Sequence, residues 1–135
     1  MRSGQTREID HHSLTDASVS VLLVLELVML LALFSRTEPH PPFEIPPFAM
    51  GPFLGACIAI ALAGLILGTS RTTAGQIASL LTAALALISF GPQKWFDPAF
   101  SKIWPAVILA QLAVTLLVRL CVRAKQEHIA RDISH

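Results

Sequence analysis

Four stretches of the chain are almost continuously apolar, and each is bounded by charges or turn-forming residues: 17–34, 51–69, 74–90 and 105–121. A bilayer core of about 30 Å takes about 20 mostly apolar helical residues, with ~17 as a lower limit. The pattern therefore predicts an all-α integral membrane protein, one membrane domain over 1–135, built as a four-span antiparallel helix bundle.

Between the spans lie a polar N-terminal tail (1–16), a Pro-rich loop (35–50), a short turn, an aromatic loop (91–104) and a polar C-terminal tail (122–135). The first span opens on Ser13-Leu-Thr-Asp16, the spacing of a helix capping box. The helix is thus expected to start just before the membrane, as a retained span and not a cleaved signal. Six prolines fall between Pro39 and Pro52. Proline lacks the backbone donor and disfavours helix at the residue before it, so an extended, polyproline-like loop is expected there. Gly91-Pro92 ends the third span, and Asp97-Pro98 reads as a new helix start, with Asp as N-cap and Pro at the first helical position. From there Phe96, Phe100, Ile103 and Trp104 share one helical face. These features predict a short interfacial helix before span four, with Trp95, Phe96, Phe100 and Trp104 as an aromatic cap at headgroup depth.

Small residues recur at close spacing in the second span. Gly51, Gly55, Ala59 and Ala63 follow every four residues, and Gly64 and Gly68 repeat the pattern. Small-xxx-small spacing lets membrane helices approach closely, so this face is expected to carry packing, within the chain or between copies.

Charge then orients the spans. Arg2, Arg7, Arg71, Arg119, Arg123, Lys125 and Arg131 lie on one side, against Arg36, Lys94 and Lys102 on the other. Basic residues near span ends favour the cytoplasmic face, which places both termini in the cytoplasm of a multi-pass protein of the inner or plasma membrane. All the aromatic residues then fall toward the outer face. Apolar residues make up 53% of the chain and charged ones 14%, against roughly 25% in soluble domains. A net charge of +1 gives no case for a nucleic-acid partner. Cys57 and Cys121 are expected to be free thiols, too far apart along the spans for a disulfide.

Catalytic signatures are missing: there is no phosphate loop, no HExxH and no Gly-x-Ser-x-Gly. His11, His12, His40, His128 and His135 all lie outside the spans, which disfavours haem held by membrane histidines. No enzyme activity, cofactor or metal is predicted. One residue stands out. Glu26 sits midway along a span that otherwise holds seven leucines and four valines between Val19 and Leu33. A charge at the bilayer centre costs about 2.5–3.5 kcal/mol on insertion scales, and each Leu or Val offsets about 0.3–0.6. Insertion is secure, but the carboxyl must face other helices. Counting helical rise puts Thr82, Gln111 and Thr115 near its depth, and a polar cluster of these residues with Glu26 is expected, with Gln111 or Thr82 bonded to the carboxyl.

Four spans with one carboxylate in the first resemble the architecture of the small multidrug-resistance exporters. The chain departs from them in having no Tyr, no Trp inside a span and a long Pro-rich first loop. Two functions follow. The first is a small non-catalytic membrane protein, an accessory or assembly subunit whose partners are the bilayer and either itself or a larger membrane complex. The alternative is a proton-linked small-molecule transporter built on Glu26, which the resemblance also implies.

Overall fold

The computed structural model describes residues 2–37 and 47–133, with side chains from 11 to 37 and from 48 to 126. The chain is all-helical over these residues: α1 (Arg2–Ser35), α2 (Pro47–Leu67), α3 (Thr73–Phe90), a 3-10 turn (Pro92–Phe96) and α4 (Phe100–Ile133). All four α-helices are long and apolar enough to cross a membrane. The proline-rich stretch 38–46, including His40 and Phe43, lies outside the described residues, as do the last two residues of the C-terminal tail.

The helix ends differ from the hydrophobic pattern in instructive ways. α1 does not begin at Ser13 but at Arg2, because no proline interrupts 2–16. Thr15, Ser18 and Ser20 donate back to the carbonyls of His11, Leu14 and Asp16, each at 2.8 Å. α2 starts on Pro47, where a missing N–H leaves no helical bond unmade. α3 matches its expected span: Thr72 is an extended N-cap whose Oγ1 accepts from Gly75 N at 2.9 Å. The interfacial helix expected before span four is not a separate element. Asp97 is the C-cap of the 3-10 turn and not the expected N-cap. It holds the turn 97–100, accepting from Ala99 N at Oδ1 and from Phe100 N at its carbonyl, both at 2.9 Å, and the helix starts at Phe100, two residues past Pro98. That helix then runs through Trp104 and Pro105 as the start of α4, since a proline this near the N-terminus removes few bonds. Only the 3-10 turn precedes it.

α1 packs against α2 and α4, α3 packs against α2 and α4, and α1 meets α3 more lightly. α1 presents a periodic buried stripe: Thr15, Ser18, Val19, Leu22, Glu26 and Leu33. The core between the helices is made of Val19, Leu22, Phe90, Val114 and Leu117 with a set of alanines, Ala61, Ala83, Ala86, Ala110 and Ala113. Small side chains let the backbones approach, which supplies the dispersion contact that lipid cannot drive by exclusion.

The small-residue face of α2 is only partly the buried one. Gly51 lies against Phe34, and Gly64 against Ala78 and Ser79. Gly68 ends α2 at φ +82°, the left-handed conformation that glycine adopts without steric penalty. Gly55, however, has nothing within 4 Å of the position of a Cβ, Ala59 is exposed and Ala63 is half-buried. The buried stripe is Gly51, Leu54, Cys57, Ala61 and Gly64. The reason is helical geometry. Steps of four residues drift by about 40° each around a 3.6-residue helix, whereas mixed steps of three and four stay on one face.

Hydrogen bonds fix how far the helices slide along one another. Asp16 Oδ1 accepts from Thr69 Oγ1, joining the middle of α1 to the turn that follows α2. Ser79 Oγ reaches the Thr69 carbonyl at 3.3 Å, adding α3 to the same layer. His12 Nδ1 pairs with Ser70 Oγ, and Gln76 Nε2 donates to the Ser70 carbonyl at 3.2 Å. This polar layer sets the common height from which every deeper residue is measured.

Candidate functional site

Glu26 is ten residues beyond Asp16, and ten residues beyond Ser79 on α3 is Ser89. Both lie about 15 Å above the polar layer at 1.5 Å per residue, and the Ser89 hydroxyl is the polar group that faces the Glu26 carboxyl. Glu26 is 2% exposed and Ser89 8%. Neither carboxylate oxygen of Glu26, nor Ser89 Oγ, has a partner in hydrogen-bond geometry. The Cys57 thiol, from the buried stripe of α2, lies within electrostatic reach of the carboxylate. It is a free cysteine, as is Cys121.

None of the three residues expected to join Glu26 hydrogen-bonds to it. Thr82 is buried but stands only three residues beyond Ser79, and it donates to its own helix at Ala78 O, 2.9 Å. Gln111 is at the right height, since its Nε2 donates to the Phe90 carbonyl at 3.3 Å, one residue past Ser89. Its amide faces the other way, and Oε1 accepts from Trp95 Nε1 at 3.2 Å. Thr115 is exposed and donates to the Gln111 carbonyl at 2.7 Å. Depth counted from the sequence was adequate for Gln111, but direction around the helix was not. From the sequence Ser89 reads only as one of the small residues at helical spacing along span three, with Gly75, Ser79, Thr82 and Ala86, and that spacing does not mark it as the group opposite Glu26.

No cation of the described chain can answer the Glu26 charge. α2 and α3 contain no Lys, Arg or His at all, and the basic residues of α4 sit toward its ends, at Lys102 and from Arg119 onward. A buried carboxyl without a partner carries the desolvation penalty of its polar atoms unrelieved.

The aromatic segment forms a second cluster above this pair. Trp95 stacks on Phe100 with ring centroids 5.1 Å apart, and its indole is tied to Gln111 as above. Gln93 Nε2 closes the end of α3 by donating to the carbonyls of Leu87 and Ile88 at 3.0 and 2.9 Å. Lys94 Nζ meets Asp97 Oδ2 at 2.9 Å, and this bond, with the Ala99 N–H, holds the Asp97 carboxyl below the ordinary carboxylate range. Phe96 is 91% exposed, and Trp95 and Trp104 about half. Large apolar side chains turned outward suit the boundary of a bilayer.

A shallow groove of about 240 Å³ lies between α1 and α4, lined by Ser20, Val21, Val24, Leu25 and Leu109. Glu26 does not line it. Compared with known proteins, the chain matches no family model, and no curated protein or solved structure matches it.

Proposed function

We propose that the chain is a small non-catalytic subunit of the inner or plasma membrane, a four-span antiparallel bundle with both termini cytoplasmic, that packs against a larger membrane complex or further copies of itself. The observation that carries this reading is the length of α1 and α4. Each has 34 residues, about 51 Å at 1.5 Å per residue against a core of about 30 Å. The surplus, 2–16 on α1 and 122–133 on α4, is polar. α2 ends and α3 begins at the level of Asp16, so both surpluses leave the bundle at that same end. We read these polar helical extensions as a docking element. Purification of the full chain in mild detergent should yield a complex of fixed stoichiometry, and removal of 127–135 should dissociate it. A single monomeric species, unchanged by the truncation, would refute the reading.

The orphaned carboxyl of Glu26 favours a second reading, a proton-linked small-molecule transporter. Infrared difference spectra of the full chain and of Glu26→Gln separate the two. A Glu26 carboxyl band that converts to carboxylate between about pH 6 and pH 8 supports transport coupling. A band that stays protonated up to about pH 9 removes it.

A further inference from the structure

We propose that the α1–α4 face holds one anionic phospholipid, its acyl chain along the groove beside Leu109 and its phosphate between Arg119 and Arg123. Three independent observations meet there. The groove is apolar along its length, and its one hydroxyl, Ser20, is already spent on the Asp16 carbonyl. On α4, Leu109, Leu112, Leu116, Arg119 and Arg123 are all exposed, and steps of three and four keep them on one side of the helix. Neither guanidinium has an ion-pair partner among the described residues, whereas Lys94 is paired with Asp97 at the other end of the bundle.

The heights agree. Gln111 stands beside Phe90, eleven residues above Ser79 on α3. Arg119 is eight residues below Gln111 and Arg123 twelve, so the pair brackets the layer of Asp16, Thr69 and Ser79 where the bundle turns polar. Ser20 to Leu25, the α1 wall of the groove, lie directly above that layer. From Arg119 up to Leu109 is about 15 Å, half of a core of about 30 Å. An acyl chain rooted at the arginines therefore reaches the groove without leaving its own leaflet.

The chemistry selects the headgroup. Two guanidiniums one helical turn apart present forked donors suited to a phosphate oxygen pair. A zwitterionic lipid brings its own ammonium to the same place and gains little. A basic residue near an anionic membrane surface contributes enough that two should favour phosphatidylglycerol over phosphatidylcholine by roughly 25-fold.

Native mass spectrometry of the full chain in mild detergent tests this, with phosphatidylglycerol and phosphatidylcholine of identical acyl chains as probes. One phosphatidylglycerol per chain should be retained, with the preference stated above. Arg119→Gln with Arg123→Gln should abolish the preference, and Arg119→Lys with Arg123→Lys should keep most of it. Val24→Phe, which fills the groove, should weaken both lipids equally and leave their ratio unchanged. Equal retention of the two lipids by the unaltered chain would overturn the proposal. So would a preference that survives the double glutamine change, or displacement of the lipid by inorganic phosphate, which would make this a site for a free anion.

Discussion

Replacing Gly75 by alanine puts the packing of the α2–α3 turn to a direct test. A Cβ on Gly75 would fall 2.1 Å from the Gly68 carbonyl oxygen and 2.7 Å from its carbon. Carbon and carbonyl oxygen come to rest at about 3.3 Å even in favourable close contacts, so something must move by more than about 1 Å. Gly68 cannot yield cheaply. Its φ of +82° ends α2, and its carbonyl accepts from Arg71 N at 3.1 Å and from Thr72 N at 3.4 Å. Forced overpacking costs about 1–3 kcal/mol, occasionally more, and a clash against backbone belongs at the top of that range. Alanine regains about 1 kcal/mol of helix propensity over glycine, which leaves a net loss of about 2 kcal/mol. Gly55→Ala is the matched control. It makes the same chemical change where a Cβ meets nothing within 4 Å, so stability should hold or rise by up to about 1 kcal/mol. Thermal unfolding in mild detergent, followed by tryptophan emission, reads both. If the two variants shift together, or Gly75→Ala melts with the unaltered protein, the close approach of these backbones is not real.

Three further outcomes follow from local geometry. Arg36 closes α1 at φ 52°, with Thr37 N donating to Ala32 O at 3.3 Å; Arg36→Gly should raise stability by about 1 kcal/mol, because only glycine takes that conformation freely, and a lowered melting midpoint would count against the assigned helix end. Gln111→Leu deprives the Trp95 indole of its acceptor and Phe90 O of its donor, so it should cost about 1–2 kcal/mol and alter the tryptophan emission spectrum; an unchanged spectrum would mean that the indole is not held there. The Asp97 carboxyl is held low by Lys94 and the Ala99 N–H, so its contribution is fully present above the ordinary carboxylate range. That contribution disappears as pH falls through the lowered value. Asp97→Asn should therefore flatten the acid-side change in Trp95 emission between about pH 5 and pH 2, and an identical acid limb in both proteins would dismiss the bond.

Glu26 links fold and function through what surrounds it. Its place on α1 follows Leu22 by one turn on the buried stripe, so burial is dictated by register and not by any attraction to a partner. Among the described residues no cation and no bonded hydroxyl stands there, which makes the residue costly for a purely structural element. Glu26→Ala in the full chain should be stabilising or neutral if that cost is unrelieved. It should be destabilising by about 1–2 kcal/mol if the carboxyl forms an interhelical bond.

What the sequence determined by itself is whatever depends on solvent and on neighbouring residues. Runs of about 17 to 19 mostly apolar residues favour a hydrocarbon environment wherever they pack, so four helices long and apolar enough to cross a membrane could be read directly. The beginning of α3 was legible from where its apolar run starts, whereas Asp97-Pro98 pointed to a helix that begins only at Phe100, because Asp97 is taken up in closing the 3-10 turn before it. The continuation of α1 back to Arg2 was not legible, because a capping signature signals that a helix can start, and serine and threonine can equally bond the turn before them. Tertiary structure alone decided the sliding position and rotation of each helix. A leucine-rich surface accepts many registers at nearly equal energy; a few polar bonds, Asp16 to Thr69 and Thr69 to Ser79, choose among them. That choice puts Ser89 rather than Thr82 opposite Glu26, turns Gln111 toward Trp95, and leaves Gly55 and Ala59 facing outward while Cys57 and Ala61 go in. Each of these depends on contacts between residues more than 50 apart in the chain, or on a rotation of less than half a turn, and no local pattern of apolar and polar positions encodes either.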